Sequence, residues 1–297
     1  MRGSQQKILF IINPASGTRN KEQIPSLINR HLSDQIDFEI AYTSKPGEAT
    51  KISNENKTAF DIIVAVGGDG TINEVARPLI DSTTALGIIP MGSGNGLARH
   101  LGIPLKAKNA IKLLNSPEIN KIDTIKMEEE VSLNIAGVGF DAHIARLFAK
   151  SKKRGFLSYA RLVFSEIRKY KVKGYHLEID GKIQEEKAPF LISIANSTQY
   201  GNNAKIAPAA MITDGLMDVC ILQKIPWWYY PVFAFHLFNG TIYRSKYYRC
   251  LQGKKIKLRL IKSQDDHNMH LDGDALAVGE IIDLSINPKS LLVALPQ

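Results

Sequence analysis

The sequence predicts two folds in succession: an α/β domain built on a parallel sheet, then a C-terminal β-sandwich domain. Three observations carry that reading. Up to about residue 101, apolar runs of five or six residues alternate with helix-patterned stretches, the rhythm of a parallel sheet. Residues 62–66 (Ile-Ile-Val-Ala-Val) are apolar at every position, as in a strand buried on both faces. From about residue 175 onward, short alternating strands separated by turn residues replace that rhythm.

Residues 7–12 are the first strand, followed by the turn Asn13-Pro14-Ala15-Ser16-Gly17 and a helix to about Leu32. Residues 38–43 read as a second strand and 47–57 as a polar-faced helix. The central strand 62–66 then runs into Gly67-Gly68-Asp69-Gly70-Thr71-Ile72-Asn73-Glu74. Its glycines let the backbone turn where a Cβ would clash. Thr71 and Glu74 have capping-box spacing, so a helix is expected to begin there. Strand, turn and helix N-terminus together aim N–H groups and a positive dipole end at one point, which suits a phosphate. Asp69 inside that turn repels phosphate unless a cation lies between them, so the turn reads as nucleotide plus magnesium. A plain glycine-rich connection is the alternative. Residues 85–89 are a fourth strand, ending in Pro90-Met91-Gly92-Ser93-Gly94-Asn95-Gly96 and a helix to about Leu101. Ligands of such sheets lie at the carboxyl ends of the strands, where these loops converge.

After about Ser116 the pattern changes, and the expected domains are residues 1–125 and 126–297. Residues 122–127 and 131–135 suggest a hairpin closed by 128–130. Gly137-Val138-Gly139-Phe140-Asp141 follows, then a basic helical tract through Tyr170. Asp180-Gly181 is a hairpin-turn signal. Residues 190–195, 216–222, 254–261, 281–286 and 291–294 alternate as strands of an antiparallel sandwich or barrel.

At 297 residues, two domains are the better expectation, and 44% hydrophobic with 23% charged residues is the composition of a soluble globular protein. Cys220 and Cys250 lack metal-ligand spacing and read as two buried, reduced thiols of a cytoplasmic chain. No apolar signal region precedes the first strand, and no run approaches the ~18 apolar residues of a membrane span. The formal charge of +9 implies affinity for anions: nucleic acid, anionic lipid or nucleotide. Between residues 142 and 175, basic residues from Arg146 to Lys173 are interleaved with Leu147, Phe148, Phe156, Leu157 and Phe164. Such a tract suits an anionic membrane surface, or a solvated helix face. The aromatic run 226–238 (Pro-Trp-Trp-Tyr-Tyr-Pro-Val-Phe-Ala-Phe-His-Leu-Phe) reads either as a membrane-interface segment or as a core helix.

The ordered set of these loop motifs, with Asp214-Gly215 and Leu271-Asp272-Gly273-Asp274 after them, resembles the diacylglycerol kinase catalytic-domain family. That family includes bacterial soluble lipid kinases and the sphingosine and ceramide kinases. The resemblance covers nearly the whole chain from Lys7. It implies an α/β nucleotide domain, a β-sandwich, and ATP in the cleft between them. On the matching positions it places ATP against Asn13, Pro14, Ala15, Ser16, Gly17, Thr43, Gly67, Gly68, Asp69, Gly70, Thr71, Ile72, Asn73, Ser93, Gly94 and Asn95. Asp69 and Asp141 would hold catalytic magnesium, Asp141 being also a candidate helix N-cap. A structural magnesium would sit on Asp214 and the carbonyls of Met211 and Leu216, where an ordinary Asp-Gly turn is the alternative.

Asp272 or Asp274 would be the general base toward a lipid hydroxyl. Asp274 stands where the family usually has Glu, and the two acids flank Gly273, which in an extended segment puts them on one side. The resemblance departs at Gly96, where many bacterial members carry an acid, and at Thr18, where lysine is common and Arg19 and Lys21 stand nearby. The activity implied is ATP- and magnesium-dependent transfer of the γ-phosphate to a diacylglycerol-like or sphingoid-like hydroxyl. A lipid substrate, peripheral contact with an anionic membrane and no nucleic acid complete the expected partners, with a homodimer left open. NAD kinase is the rival enzyme reading; it would carry an Asn-Glu pair after a Gly-Thr-Leu-Gly-type loop, which is absent. A non-catalytic nucleotide- or lipid-binding module would lack Asp69 or the Asp272/Asp274 pair.

Overall fold

The computed structural model describes residues 5–16, 21–151, 155–184, 188–261 and 268–297. Gly17, Thr18, Arg19, Lys152, Lys153 and Arg154 therefore lie outside the described residues. The chain forms two compact units, residues 1–122 with 289–297, and residues 123–288. The first contains β1 (Lys7–Ile12), α1 (Ile24–His31), β2 (Asp37–Tyr42), α2 (Glu48–Asn56), β3 (Ile62–Gly67), α3 (Asp69–Ala76), β4 (Ala85–Pro90), α4 (Gly96–His100) and α5 (Ala107–Leu113). The second contains β5 (Glu118–Met127, begun in the first), β6 (Glu130–Ser132), β7 (Ile135–Gly139), α6 (Phe140–Lys150), α7 (Phe156–Glu166), β8 (Gly174–Ile179), β9 (Lys182–Gln184) and β10 (Leu191–Ala195). It continues with β11 (Met217–Leu222), α8 (Tyr230–Asn239), β12 (Tyr248–Gly253), β13 (Lys255–Ile261), β14 (Asn268–Leu271), β15 (Asp274–Ala277) and β16 (Ile281–Leu295).

In the first unit β2, β1, β3 and β4 pair in that order, all parallel. Every residue of β3 and β4 is buried, the signature of strands covered on both faces. The last residues of β16 extend this sheet, with Val293 parallel to Leu86. The two strands expected over 281–286 and 291–294 are thus one. It runs through Pro288, the last residue of the second unit, and finishes in the first. The expected division at 125/126 kept this closing segment with residues 126–297, whereas its contacts group it with the first unit.

The second unit is an antiparallel sandwich. One sheet runs β12-β11-β10-β7-β14-β15, and the other includes β13, β8, β9 and the first part of β16. Val138, Ile194 and Met269 of the first sheet share a core with Leu177, Leu258 and Leu284 of the second. On the outer face of the first sheet a second cluster gathers Phe140, Ile144, Tyr170, Phe190 and Tyr248. Strand β10 serves both: Ile192 and Ile194 face the sandwich interior, Leu191 and Ala195 the outer cluster. Leu162 and Val163 of α7, and Phe233 and Leu237 of α8, rest against that outer cluster.

No residue of α8 is buried, so the core-helix reading of 226–238 does not hold. Trp227, Trp228 and Phe235 are 68%, 59% and 63% exposed. Among the described residues no helix is long and apolar enough to cross a membrane. Cys220 and Cys250 face each other across β11 and β12, Cys220 buried but Cys250 exposed, which corrects the expectation of two buried thiols.

The expected hairpin over 122–135 breaks after Ser132. The cause is Asp272. Its Oδ1 accepts from Ser132 Oγ (2.6 Å), Asn134 N (2.9 Å) and Ile135 N (3.0 Å), and its Oδ2 from Leu133 N (2.9 Å). These amides turn toward a carboxylate instead of a partner strand. Asp272 and Gly273, at φ 52° and 93°, form the two-residue turn joining β14 to β15. The segment is therefore not extended, and Asp272 and Asp274 do not share a side as expected. Exchanging Asp272 for Asn sets an NH₂ against donors that need an acceptor. Asp272→Asn should lower stability by roughly 2–3 kcal/mol, the scale of hydrogen bonds to a charged group. Urea unfolding measures this, and an unmoved midpoint would remove Asp272 from that role.

Candidate active site

Three loops at the carboxyl ends of the parallel strands are tied together. Asn13 donates its N–H to Val66 O (3.2 Å) and Nδ2 to Thr71 Oγ1 (3.1 Å), while its Oδ1 accepts from Ala15 N (3.0 Å). Met91 N donates to Gly67 O (2.7 Å). Lys21 is buried and donates to the carbonyls of Pro14 and Ser16, so it braces the first loop. Burial pulls its ammonium below the ordinary lysine range. Thr43, at the end of β2, is buried and gives its N–H to Ile12 O (3.0 Å).

The β3 and β4 loops pass in backbone contact. A Cβ on Gly92 would lie 2.7 Å from Gly68 Cα and 2.9 Å from Asn95 Oδ1. Across this contact Asp69 accepts from Asn95 N (3.0 Å) at Oδ2 and from Gly96 N (2.9 Å) at Oδ1. Asn95 sits at φ 51° and donates Nδ2 to Gly92 O (2.9 Å). Helix α3 begins at Asp69 behind Gly68, two residues before the expected Thr71, and no side chain caps it. Thr71 accepts from Asn13 instead of capping, which is why the capping-box expectation failed.

Pro14, Ala15 and Ser93 are exposed, and Gly68, Asp69, Gly70 and Gly94 half-buried. Ile72 and Asn73 point into the unit, 1% and 7% exposed, with Asn73 Oδ1 accepting from Arg77 Nε (2.7 Å). The residues present fit a nucleotide phosphate. The glycines leave bare backbone where a Cβ would intrude, and the uncapped first turn of α3 presents N–H groups that have no acceptor within the helix. Asp69 offers a carboxylate to magnesium, which commonly takes one or two such groups together with waters and phosphate oxygens.

In the second unit the four acids differ sharply. Asp272 has both oxygens engaged as described, whereas Asp274, at the head of β15, is exposed. Asp141 is buried in the first turn of α6, where Gly139 and not Asp141 occupies the cap. Its Oδ2 accepts from Ser193 Oγ (3.0 Å) and Tyr200 Oη (3.2 Å), lies 3.2 Å from His270 Nε2, and its Oδ1 accepts from Ala142 N (2.8 Å). Burial first, then the Asp141 charge, pushes the Tyr200 hydroxyl well above the usual tyrosine range, so it stays a donor. A Cβ at Gly137 would strike Asp141 Oδ2 at 2.4 Å and His270 Nε2 at 2.8 Å, which explains that glycine.

Asp214 Oδ1 accepts from Leu216 N (3.0 Å), the geometry of an ordinary Asp-Gly turn, and Met211 is exposed. Gly215 N donates to Oδ2 of the fully buried Asp123 (2.7 Å). Sequence reasoning missed Asp123, Ser193, Tyr200 and His270. An Asp inside the apolar run 122–127 was the available signal for the first.

The Asp69 contacts generate a test in the protein alone. Asp69→Asn puts an NH₂ against one of two N–H donors. Amide exchange at Asn95 and Gly96 should then quicken roughly tenfold or more, since ~1.4 kcal/mol is a factor of ten. Unchanged protection at both amides would sink this tie.

A diacylglycerol kinase catalytic domain model matches residues 7–127, and a YegS C-terminal NAD kinase β-sandwich-like domain model matches 134–295. The chain is 28% identical to the diacylglycerol kinase of Bacillus subtilis (strain 168), covering 93% of this chain and 92% of that one. It is 30% identical to "Probable lipid kinase YegS-like" of Klebsiella pneumoniae (strain 342), covering 72% and 73%. It spans about half (53%) of protein sll0036 of Synechocystis sp., at 30% identity. The fold matches that of a crystal structure of a diacylglycerol kinase from Bacillus anthracis str. Sterne, with a TM-score of 0.77 at 20% identity over 99% of this chain and 98% of that one. With both halves matched in chain order, this protein belongs to the diacylglycerol kinase catalytic-domain family.

Proposed function

We propose that this protein is an ATP- and magnesium-dependent kinase that transfers the γ-phosphate to a lipid hydroxyl. The observation that carries the reading is the braced set of loops in the first unit, with bare glycine backbone, an uncapped α3 and Asp69 at one place. The relatives named as diacylglycerol and lipid kinases support a lipid acceptor. Loop N–H groups receive the phosphates, and Asp69 holds magnesium, which when bound neutralises their charge. Asp274 takes the proton from the lipid hydroxyl as the hydroxyl oxygen attacks the γ-phosphorus in line and ADP leaves with the bridging oxygen. Its exposure supports this choice, and the occupied oxygens of Asp272 argue against the other acid. Asp141 accepts from hydroxyls inside its own unit, so its part is to position α6.

Asp274→Asn should bind ATP normally and lose about 10²–10⁴-fold in kcat, the usual contribution of a general base. Asp274→Glu should be tolerated. Near-normal kcat in Asp274→Asn would move proton removal elsewhere.

The same reading includes peripheral contact with an anionic membrane. Exposed Trp227, Trp228 and Phe235, and exposed Leu157 and Phe164 on α7, are apolar side chains that support it. The chain has only two tryptophans, Trp227 and Trp228, so their fluorescence reports on that segment directly. Anionic vesicles should shift that emission to the blue, less so as salt screens the basic tract over ~8–10 Å. Unshifted emission with bound vesicles would place the contact elsewhere.

A further inference from the structure

The chain's two cysteines, 30 residues apart, finish directly opposite each other. Cys220 on β11 is in register with Cys250 on β12, the edge strand of its sheet. Alternation along β12 turns Leu251 toward the sandwich interior and Cys250 to the outer face, where Cys220 belongs to the outer cluster. The two Sγ atoms lie 3.4 Å apart. Opposed residues of an antiparallel pair have Cα atoms about 4.5 or about 5.5 Å apart, both inside the about 4.4–6.8 Å that a disulfide spans. The strands need not shift for a bond to form.

The two thiols differ. Cys220 is fully buried, with Tyr248 Oη 3.1 Å from its Sγ and donating to Ile206 O (2.6 Å). Burial, and after it the neighbouring Cys250, push the Cys220 thiol well above the usual range, so it stays protonated. Cys250 is exposed, and its Sγ lies 3.5 Å from Oδ1 of the buried Asp218. Burial raises the Asp218 carboxyl, which makes it the better proton acceptor. An oxidant thus meets one accessible thiol beside a carboxylate, with a second, sheltered thiol behind it.

We propose that Cys220 and Cys250 form a redox-modification site at which a hydroperoxide converts the pair to an intramolecular disulfide, fastening the edge strand β12 to β11. With hydrogen peroxide, Cys250 Sγ attacks one oxygen, the O–O bond breaks, and the proton shed by Cys250 goes to the departing oxygen as water. Cys220 Sγ then attacks the sulfur of the resulting sulfenic acid. The S–S bond forms, the S–O bond breaks, and hydroxide leaves with the Cys220 proton as a second water. The sulfurs lose two electrons and the peroxide gains them. The ring so closed contains residues 221–249, and with them Trp227, Trp228 and α8. The site is independent of the lipid kinase reading.

The test uses the full chain, without ATP or lipid, dilute and treated with hydrogen peroxide. Intact mass should fall by two hydrogens, both thiols should be lost together, and non-reducing digestion should yield the Cys220 and Cys250 peptides linked. Dithiothreitol should reverse all three. In Cys250→Ser the loss of Cys220 should slow roughly tenfold or more, since access and thiolate fraction set the rate. In Cys220→Ala, Cys250 should stop at the sulfenic acid and be trapped by dimedone. Cys250→Ser alters only an exposed position, so that arm stands even where the buried Cys220→Ala variant unfolds. The β12 amides of the bridged protein should exchange roughly tenfold more slowly than those of the reduced protein, since local opening governs exchange. Two surviving thiols, a disulfide between chains, or oxygen added to Cys250 while Cys220 stays free overturns the site. Unaltered exchange across β12 in the bridged protein overturns the fastening.

Discussion

A backbone N–H that no helix or ladder satisfies must find another acceptor, and at several places among the described residues the acceptor is an aspartate. Asp69 takes two amides of the β4 loop, Asp272 takes three between β6 and β7, and Asp123 takes that of Gly215. A charged acceptor makes each bond roughly twice as strong as a neutral one. The loops so held are those whose backbone has left regular pairing, and they carry the residues that the family motif singles out. The loops are fixed within each unit before any ligand arrives.

That use of acids reorders the motif. The sequence Leu271-Asp272-Gly273-Asp274 offers two carboxylates of like chemistry one residue apart, and nothing in their identity separates them. The tight turn does. At φ 52° Asp272 folds back toward 132–135, while Asp274 opens the next strand at the surface. In the same way Gly137-Val138-Gly139-Phe140-Asp141 is a packing device. Gly137 makes room for an aspartate and a histidine, and a Cβ on Gly139 would meet Phe190 O at 2.7 Å.

The parallel half was legible because β1, β3 and β4 are single apolar runs ending at asparagine, glycine or proline, and β1 to β4 fall within a residue of expectation. The sandwich half was less so. Strands β12, β14 and β15 are short and half-polar, and they acquire their conformation from neighbours far along the chain. The start of α3 was misplaced because a local cap was inferred from Thr71, whose hydroxyl is claimed by Asn13, 58 residues away. The tie from Asp69 to Asn95 and Gly96 joins loops 26 and 27 residues apart, and no spacing rule exposes it. The buried partners of Asp141 come from β10, β14 and the loop after β10, and become neighbours only when the sheet forms.

The finish of β16 beside β4 has a consequence for synthesis. Residues 289–295 are translated long after Pro90, yet they pair beside β4 at the edge of the parallel set β2-β1-β3-β4. While the ribosome extends the chain, the Leu86 side of β4 stays an open edge, the kind that pairs promiscuously with other chains. Residues 123–288 are all translated before that edge closes, so a truncation ahead of Lys289 would leave the α/β half, and not the sandwich, prone to aggregate.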